Sequence, residues 1–207
     1  MPERHPQHAN LLGGRLSIDF CNELRPSFRF TWDDLLQFLL AARIISEERS
    51  GQLRNLPASD ARTADSLLAK AQNLQAALAG AFAAIVSGDP ISRECIGPIN
   101  QILSITEGHD ELTPEGHSWR LEFVAREGGL DWLLAAVARS AAEIVAEGPN
   151  APVRACANPS CPFFFYDTSR TKKRRWCSMA RCGNRHKVAA FSRRHSGPSA
   201  KSKSARA

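Results

Sequence analysis

Four cysteines, Cys156, Cys161, Cys177 and Cys182, constrain this chain more than any other feature. They form two pairs, each with four residues between its members, and fifteen residues separate the pairs. Zinc binds four thiolates tetrahedrally at roughly 2.3 Å, and two short loops offering two sulfurs apiece are the usual way a chain builds that cage. Asn158 and Pro159 suit the first turn, and Ser178 can start a helix that brings Cys182 round beside Cys177. With every position filled by protein, no place is left for water or substrate. The spacing therefore predicts one structural Zn2+ per chain and no catalytic metal.

The rival reading is four unmetallated thiols that happen to pair, and the size of the segment argues against it. About fifty residues, with apolar content concentrated in Phe163, Phe164, Phe165, Trp176, Val188 and Phe191, make too small a core to stand without a metal or disulfides. The N-terminus, MPERHPQHAN, has polar residues where an export signal needs an apolar stretch, which leads us to expect the reducing cytoplasm and metal over disulfides. Hydrophobic residues make up 43% of the 207, with no run long enough to span a bilayer, so no membrane association is expected. Cys21 and Cys95 lie singly among apolar neighbours and are expected in the core.

Before the cysteines the chain reads as mainly helical. Thr31 to Ile45 has a capping Thr31, acidic Asp33 and Asp34, and one apolar face of Trp32, Leu35, Leu36 and Leu39. From about Ala58 to Val86, Leu67, Ala71, Leu74, Leu78, Ala81 and Ile85 recur at the spacing of a long packed helix, which Gly88 to Pro90 break. Ile91 to Ile105 suggests a further helix, interrupted or started late by Gly97 and Pro98. Between Glu111 and Arg126, Trp119, Leu121, Phe123 and Ala125 alternate with polar neighbours after a turn at Pro114, Glu115 and Gly116, the pattern of a β-hairpin. Leu130, Leu133, Leu134, Val137, Ala141, Ile144 and Val145 share one stripe of a helix that Gly148 and Pro149 end. His109 and His117 fall in a polar stretch where exposure is the default.

The expected fold is thus mainly α. A multihelical domain with a small β-hairpin occupies 1–148, a small four-cysteine zinc-binding module 149–195, and a basic tail expected to be disordered 196–207.

Charge divides at the same boundary. From Ala151 onward fourteen Lys and Arg face a single acid, Asp167, leaving thirteen basic and twenty acidic residues before it. Charge of one sign at that density repels itself unless a polyanion relieves it, and neutralising phosphates releases counterions. Arg170, Lys172, Lys173, Arg174, Arg175, Arg181, Arg185 and Lys187 are the candidate nucleic-acid contacts. The Lys172–Arg175 run suits phosphates, and the residues after Cys177 suit a helix that could enter a groove. Double-stranded DNA is the expected partner.

The string FFFYDTSRTKKRRWCSMARCGNRHKVAAF, with its C-x4-C and the tetrad Cys182-Gly183-Asn184-Arg185, closely resembles the CGNR zinc finger over Cys156 to Arg194. GRLSIDFCNEL, from Gly14 to Leu24, looks like the opening of the ABATE domain that precedes such fingers. The resemblance implies metal roles for the four cysteines, a mostly helical N-terminal region, and a stress-related transcriptional regulator. Gly183 would let the backbone pass close to the metal, and an amide of Gly183 or Asn184 would support a thiolate. Arg185 would pair with Asp167 or reach a phosphate.

Other classes are weighed against this one. A basic zinc module binds RNA as readily as DNA, or a protein partner. A nuclease would use Asn184 and His186, but two histidines and one acid in the module are too few for an open hydrolytic site, so no enzyme is expected. The acidic helical domain would serve as a homodimer interface or hold an unidentified small-molecule effector.

Overall fold

The computed structural model describes residues 12–24, 30–105, 108–115, 118–125 and 129–195. The tail at 196–207, His117 and the side chain of His109 lie outside the described residues. The elements are α1 (Leu16–Glu23), α2 (Trp32–Ala41), α3 (Glu47–Arg54), α4 (Leu56–Ser59), α5 (Ala61–Ser87), α6 (Arg93–Ile105), β1 (Gly108–Glu115), β2 (Ser118–Ala125), α7 (Ala135–Ala146), β3 (Val153–Ala155), β4 (Phe164–Tyr166) and α8 (Asn184–His195).

The long helix α5 is the spine, touching α1, α2, α6, α7 and β3. Leu67, Ala71, Leu74, Leu78 and Phe82 are buried along its inner stripe, each large side chain contributing roughly 1.5 to 3 kcal/mol by leaving water. Its start is later than the sequence suggests. Asp60 caps it by accepting the Thr63 N–H at 3.1 Å, and the preceding Leu56–Ser59 turn is a separate piece. Gly88, at φ 79°, ends it with a left-handed residue that only glycine adopts readily.

α2 begins as expected. Thr31 Oγ1 accepts the Asp34 N–H at 3.3 Å and Asp34 Oδ2 accepts the Thr31 N–H at 2.8 Å, a reciprocal cap of about 1 kcal/mol. It stops at Ala41 instead of reaching Ile45, because the chain turns through a left-handed Arg43 at φ 57° to bury Ile45. α6 runs straight through Gly97 and Pro98. Pro98 forgoes the bond its missing N–H would make to the Glu94 carbonyl and its ring crowds that carbonyl, which belongs to an exposed residue of the first turn.

The β1–β2 hairpin is antiparallel as expected but longer. Pro114 pairs with Trp119 and Glu115 with Ser118, so both belong to the strand and not to the turn. The helix expected from Leu130 opens as a 3-10 turn over Asp131–Leu134 before α7, with Leu133, Leu134, Val137, Ala141 and Ile144 buried. α1 carries no amphipathic period because it is buried on every side from Ser17 to Asn22. Its polar residues are satisfied internally: Ser17 by Ser140 at 3.1 Å and Asp19 by the Gly13 N–H at 2.7 Å.

Cys21 is in the core, and burial pushes its thiol up to about 12. Cys95, expected there too, is only half-buried at the start of α6, where its sulfur lies so close to Gly80 that a Cβ there would stand 2.7 Å away.

The boundary near residue 148 is a change of direction, not a gap in packing. Ala151, Val153 and Tyr166 belong to the large helical core, with Phe164 packed against it. The short antiparallel pair β3–β4 causes this. Phe164 packs against Phe82 of α5 and Tyr166 joins the helical core, while Phe163 and Phe165 face a second cluster with Cys156, Cys177, Cys182 and Trp176. Strand alternation thus splits one aromatic run between two cores. Phe164 is a correction to the expectation that all three phenylalanines serve the cysteine module, and so are Val188 and Phe191, which are 65% and 57% exposed.

Candidate metal centre and its basic surround

Each cysteine pair is built by local hydrogen bonding. Cys156 directly follows β3 and its N–H donates to the Phe163 carbonyl at 2.9 Å, closing the strand pair. The Asn158 carbonyl accepts the Cys161 N–H at 2.8 Å and its side chain accepts the Ser160 N–H at 3.2 Å, a turn typical of Asn. Ser178 caps the second turn through the Arg181 N–H at 3.3 Å. That turn, Met179–Gly183, is wound as a π-helix, with the Gly183 N–H reaching the Ser178 carbonyl at 3.1 Å. The wider winding brings Cys182 back over Cys177.

The four sulfurs lie within 4.8 Å of one another. Cys161–Cys177 and Cys177–Cys182 are both 3.7 Å apart. A tetrahedron with zinc–sulfur bonds of about 2.3 Å has edges of roughly 3.8 Å, so the donor set fits one zinc ion and leaves it no open position. Zinc bound there supplies a cross-link between the two loops. Burial pushes the Cys161 and Cys177 thiols up. At Cys182 burial opposes ionisation too, but the Asn158 amide and the neighbouring thiols hold it below the ordinary thiol value. Buried thiolates need a compensating cation, which a metal provides.

The supporting donors differ from those expected. Asn158 Nδ2 donates to Cys182 Sγ and the Cys177 N–H to Cys156 Sγ, both at 3.5 Å. The amides of Gly183 and Asn184 instead reach the Ser178 and Met179 carbonyls. Gly183 sits against different neighbours: a Cβ there would meet the Met179 sulfur at 2.6 Å, the end of an exposed side chain that can swing aside, and Trp176 at 3.3 Å. Trp176 is half-buried and its ring lies against His186, centroids 4.8 Å apart and planes tilted by 37°.

The basic residues separate into two groups. Arg170, Lys173, Arg175, Arg181, Arg185 and Lys187 are exposed, with Arg175 over Trp176 at 5.3 Å and Arg181 over Phe163 at 5.5 Å. Lys172, also exposed, and Arg174 are tied into the fold by hydrogen bonds. Lys172 Nζ donates to the Asp167 carbonyl at 2.7 Å. Half-buried Arg174 lies 4.5 Å over Phe165 and donates to the carbonyls of Trp176 at 2.9 Å, Leu12 at 3.3 Å and Cys177. It bolts the second cysteine loop to the start of the helical core, which no charge pattern announces.

Asp167 is fully buried and organises this loop. It accepts from Ser169 Oγ at 2.6 Å and the Arg174 N–H at 3.0 Å, and its ion-pair partner is Arg154 at 3.4 Å, not Arg185. Burial works against its charge, but these donors hold its carboxyl below the usual range. An open groove of about 790 Å³ is lined by Ile85, Val86 and Pro149 together with Arg154, Lys172 and Arg175.

A family model for the CGNR zinc finger matches residues 153–195. The ABATE family model, described as "Putative stress-induced transcription regulator", matches residues 14–148. No curated protein matches the chain.

Proposed function

The chain belongs to the ABATE family and carries a CGNR zinc finger with one structural zinc, and from that membership we propose that it is a transcriptional regulator that binds double-stranded DNA through its finger. The observation that carries this reading is the set of exposed cations, Arg170, Lys173, Arg175, Arg181, Arg185 and Lys187, around a metal-locked turn in a segment with no acid after Asp167. Cations held on a rigid support, with no carboxylate partner among the described residues, are arranged for a polyanion.

The acidic helical domain takes the regulatory or dimerising role, because its charge disfavours the same polyanion. Four cysteines saturate the zinc, which supports a binding protein and not an enzyme. Among the described residues no helix is long and apolar enough to cross a membrane, and a thiolate site suits the reducing cytoplasm.

Fluorescence anisotropy of the zinc-loaded full chain with labelled duplex DNA, across salt concentrations, tests the reading. Binding that weakens steeply with salt is expected. Basic zinc modules also bind RNA, so tighter binding to RNA of the same sequence would replace DNA as the partner, and cleavage of the labelled strand with magnesium would overturn the non-enzymatic reading.

A further inference from the structure

Taking the DNA reading above as given, we propose that α8 reads bases in the major groove through the face carrying Asn184, Val188 and Phe191, and that the Trp176–His186 ring contact selects that face. α8 packs against the Met179–Gly183 turn, and its described residues Asn184–Ala189, Phe191 and Ser192 are all exposed. A twelve-residue helix with so little packing is marginal in water. Its N-terminus is nonetheless held firmly. Cys182 is a zinc ligand, the Asn184 N–H bonds Met179, and His186 lies 4.8 Å from Trp176.

That ring contact turns the His186 face of the helix toward Trp176. At 3.6 residues per turn, the residues opposite His186 are Asn184, Val188 and Phe191, with Arg185 and Lys187 about 80° to either side of that face. Val188 is 65% and Phe191 57% exposed, and apolar side chains on an otherwise basic helix have a use against the methyl groups of thymine. Asn184 has the paired donor and acceptor that match adenine, and the flanking cations sit where the two phosphate walls of a groove would be.

The fit selects the nucleic acid too. A helix with side chains is about 10 to 12 Å across and the B-DNA major groove about 12 Å wide, whereas the RNA duplex has a deep, narrow major groove that side chains do not read. The occupant is therefore duplex DNA, read at a step containing A·T pairs.

The test selects binding sites from a random duplex library with the zinc-loaded full chain, then compares affinities for the selected and a scrambled duplex. Asn184→Ala is expected to weaken the selected duplex roughly 5- to 100-fold and Val188→Ala roughly 4- to 15-fold, each leaving the scrambled one within about twofold. His186→Ala should erode discrimination with zinc content unchanged. Lys173→Ala should weaken both duplexes alike. Val188 is exposed, so its truncation keeps the test valid even where Asn184→Ala loses zinc. Equal loss on both duplexes for Val188→Ala and His186→Ala, or DNA binding with no enriched sequence, overturns the face assignment and leaves the DNA reading standing. Absence of binding to any duplex overturns both.

Discussion

Asn22 and Phe164 exchange two hydrogen bonds across the seam between helical core and finger: Asn22 Nδ2 donates to the Phe164 carbonyl at 2.8 Å, and the Phe164 N–H donates to Asn22 Oδ1 at 2.9 Å. A side-chain amide thereby replaces a neighbouring strand for β4. Asn22→Ala leaves both backbone groups half-buried and unpaired, which is expected to lower stability by about 2 to 3 kcal/mol. Urea unfolding followed by far-UV circular dichroism and by zinc release should show both transitions moving together. If only zinc release shifts, the finger and core unfold separately.

Truncation at the same seam has a related consequence. A fragment of residues 1–148 loses Val153, Phe164 and Tyr166 from its core, together with the 2.6 Å bond from the Tyr166 hydroxyl to Glu147. It should melt well below the full chain, by scanning calorimetry, and bind a hydrophobic dye the full chain does not. A fragment as stable as the whole would mean the packing across residue 148 contributes nothing.

One zinc per chain is expected by mass spectrometry under native conditions. Cys177→Ser should abolish it, because the remaining three sulfurs leave the cage open. Since Arg174 links the Cys177 carbonyl to Leu12, the loss should also reduce hydrogen-exchange protection near Gly13 and Arg15. A loss of protection confined to the finger would show that the link carries no coupling.

Lys173 and Arg174 are neighbours with the same charge and opposite roles. Lys173→Ala should leave stability unchanged and flatten the salt dependence of DNA binding by roughly 0.9 log units. Arg174→Ala should cost about 2 kcal/mol of stability, because three carbonyls lose a charged donor. Thermal denaturation and anisotropy on both variants separate the two effects.

Asp19 makes stability depend on pH. Burial lifts its carboxyl to about 6, against about 3.9 in an unfolded chain, while the Gly13 N–H pulls weakly the other way. The folded state therefore holds this proton more tightly, so stability from this group is greatest below about pH 4 and is lost as pH rises through 6. Between pH 5 and 7.5 the expected loss is about 1 to 2 kcal/mol. Asp19→Asn should remove it, judged from the difference between variant and parent urea midpoints at the two pH values.

Residue types and spacing alone were enough for the metal centre, because four thiolates at regular intervals admit few other uses and each knuckle is closed by bonds only a few residues long. They were enough also for α2, α5 and α7, whose one-sided apolar stripes announce a helix lying on a core. α1 escaped because a helix buried all round has no stripe, and the β3–β4 pair because three-residue strands have almost no period to show. What depended on long-range contact was decided in three dimensions. Nothing local tells Phe164 from Phe165, yet strand alternation sends one to the helices and the other to the zinc cluster. Nothing in the run from Lys172 to Arg175 tells Arg174 from Lys173, yet one lies over an aromatic ring among inward-facing carbonyls and the other in water. A guanidinium is a phosphate ligand or a structural bolt according to what the fold places beside it, and only folding brings Leu12 and Cys177 to the same side chain.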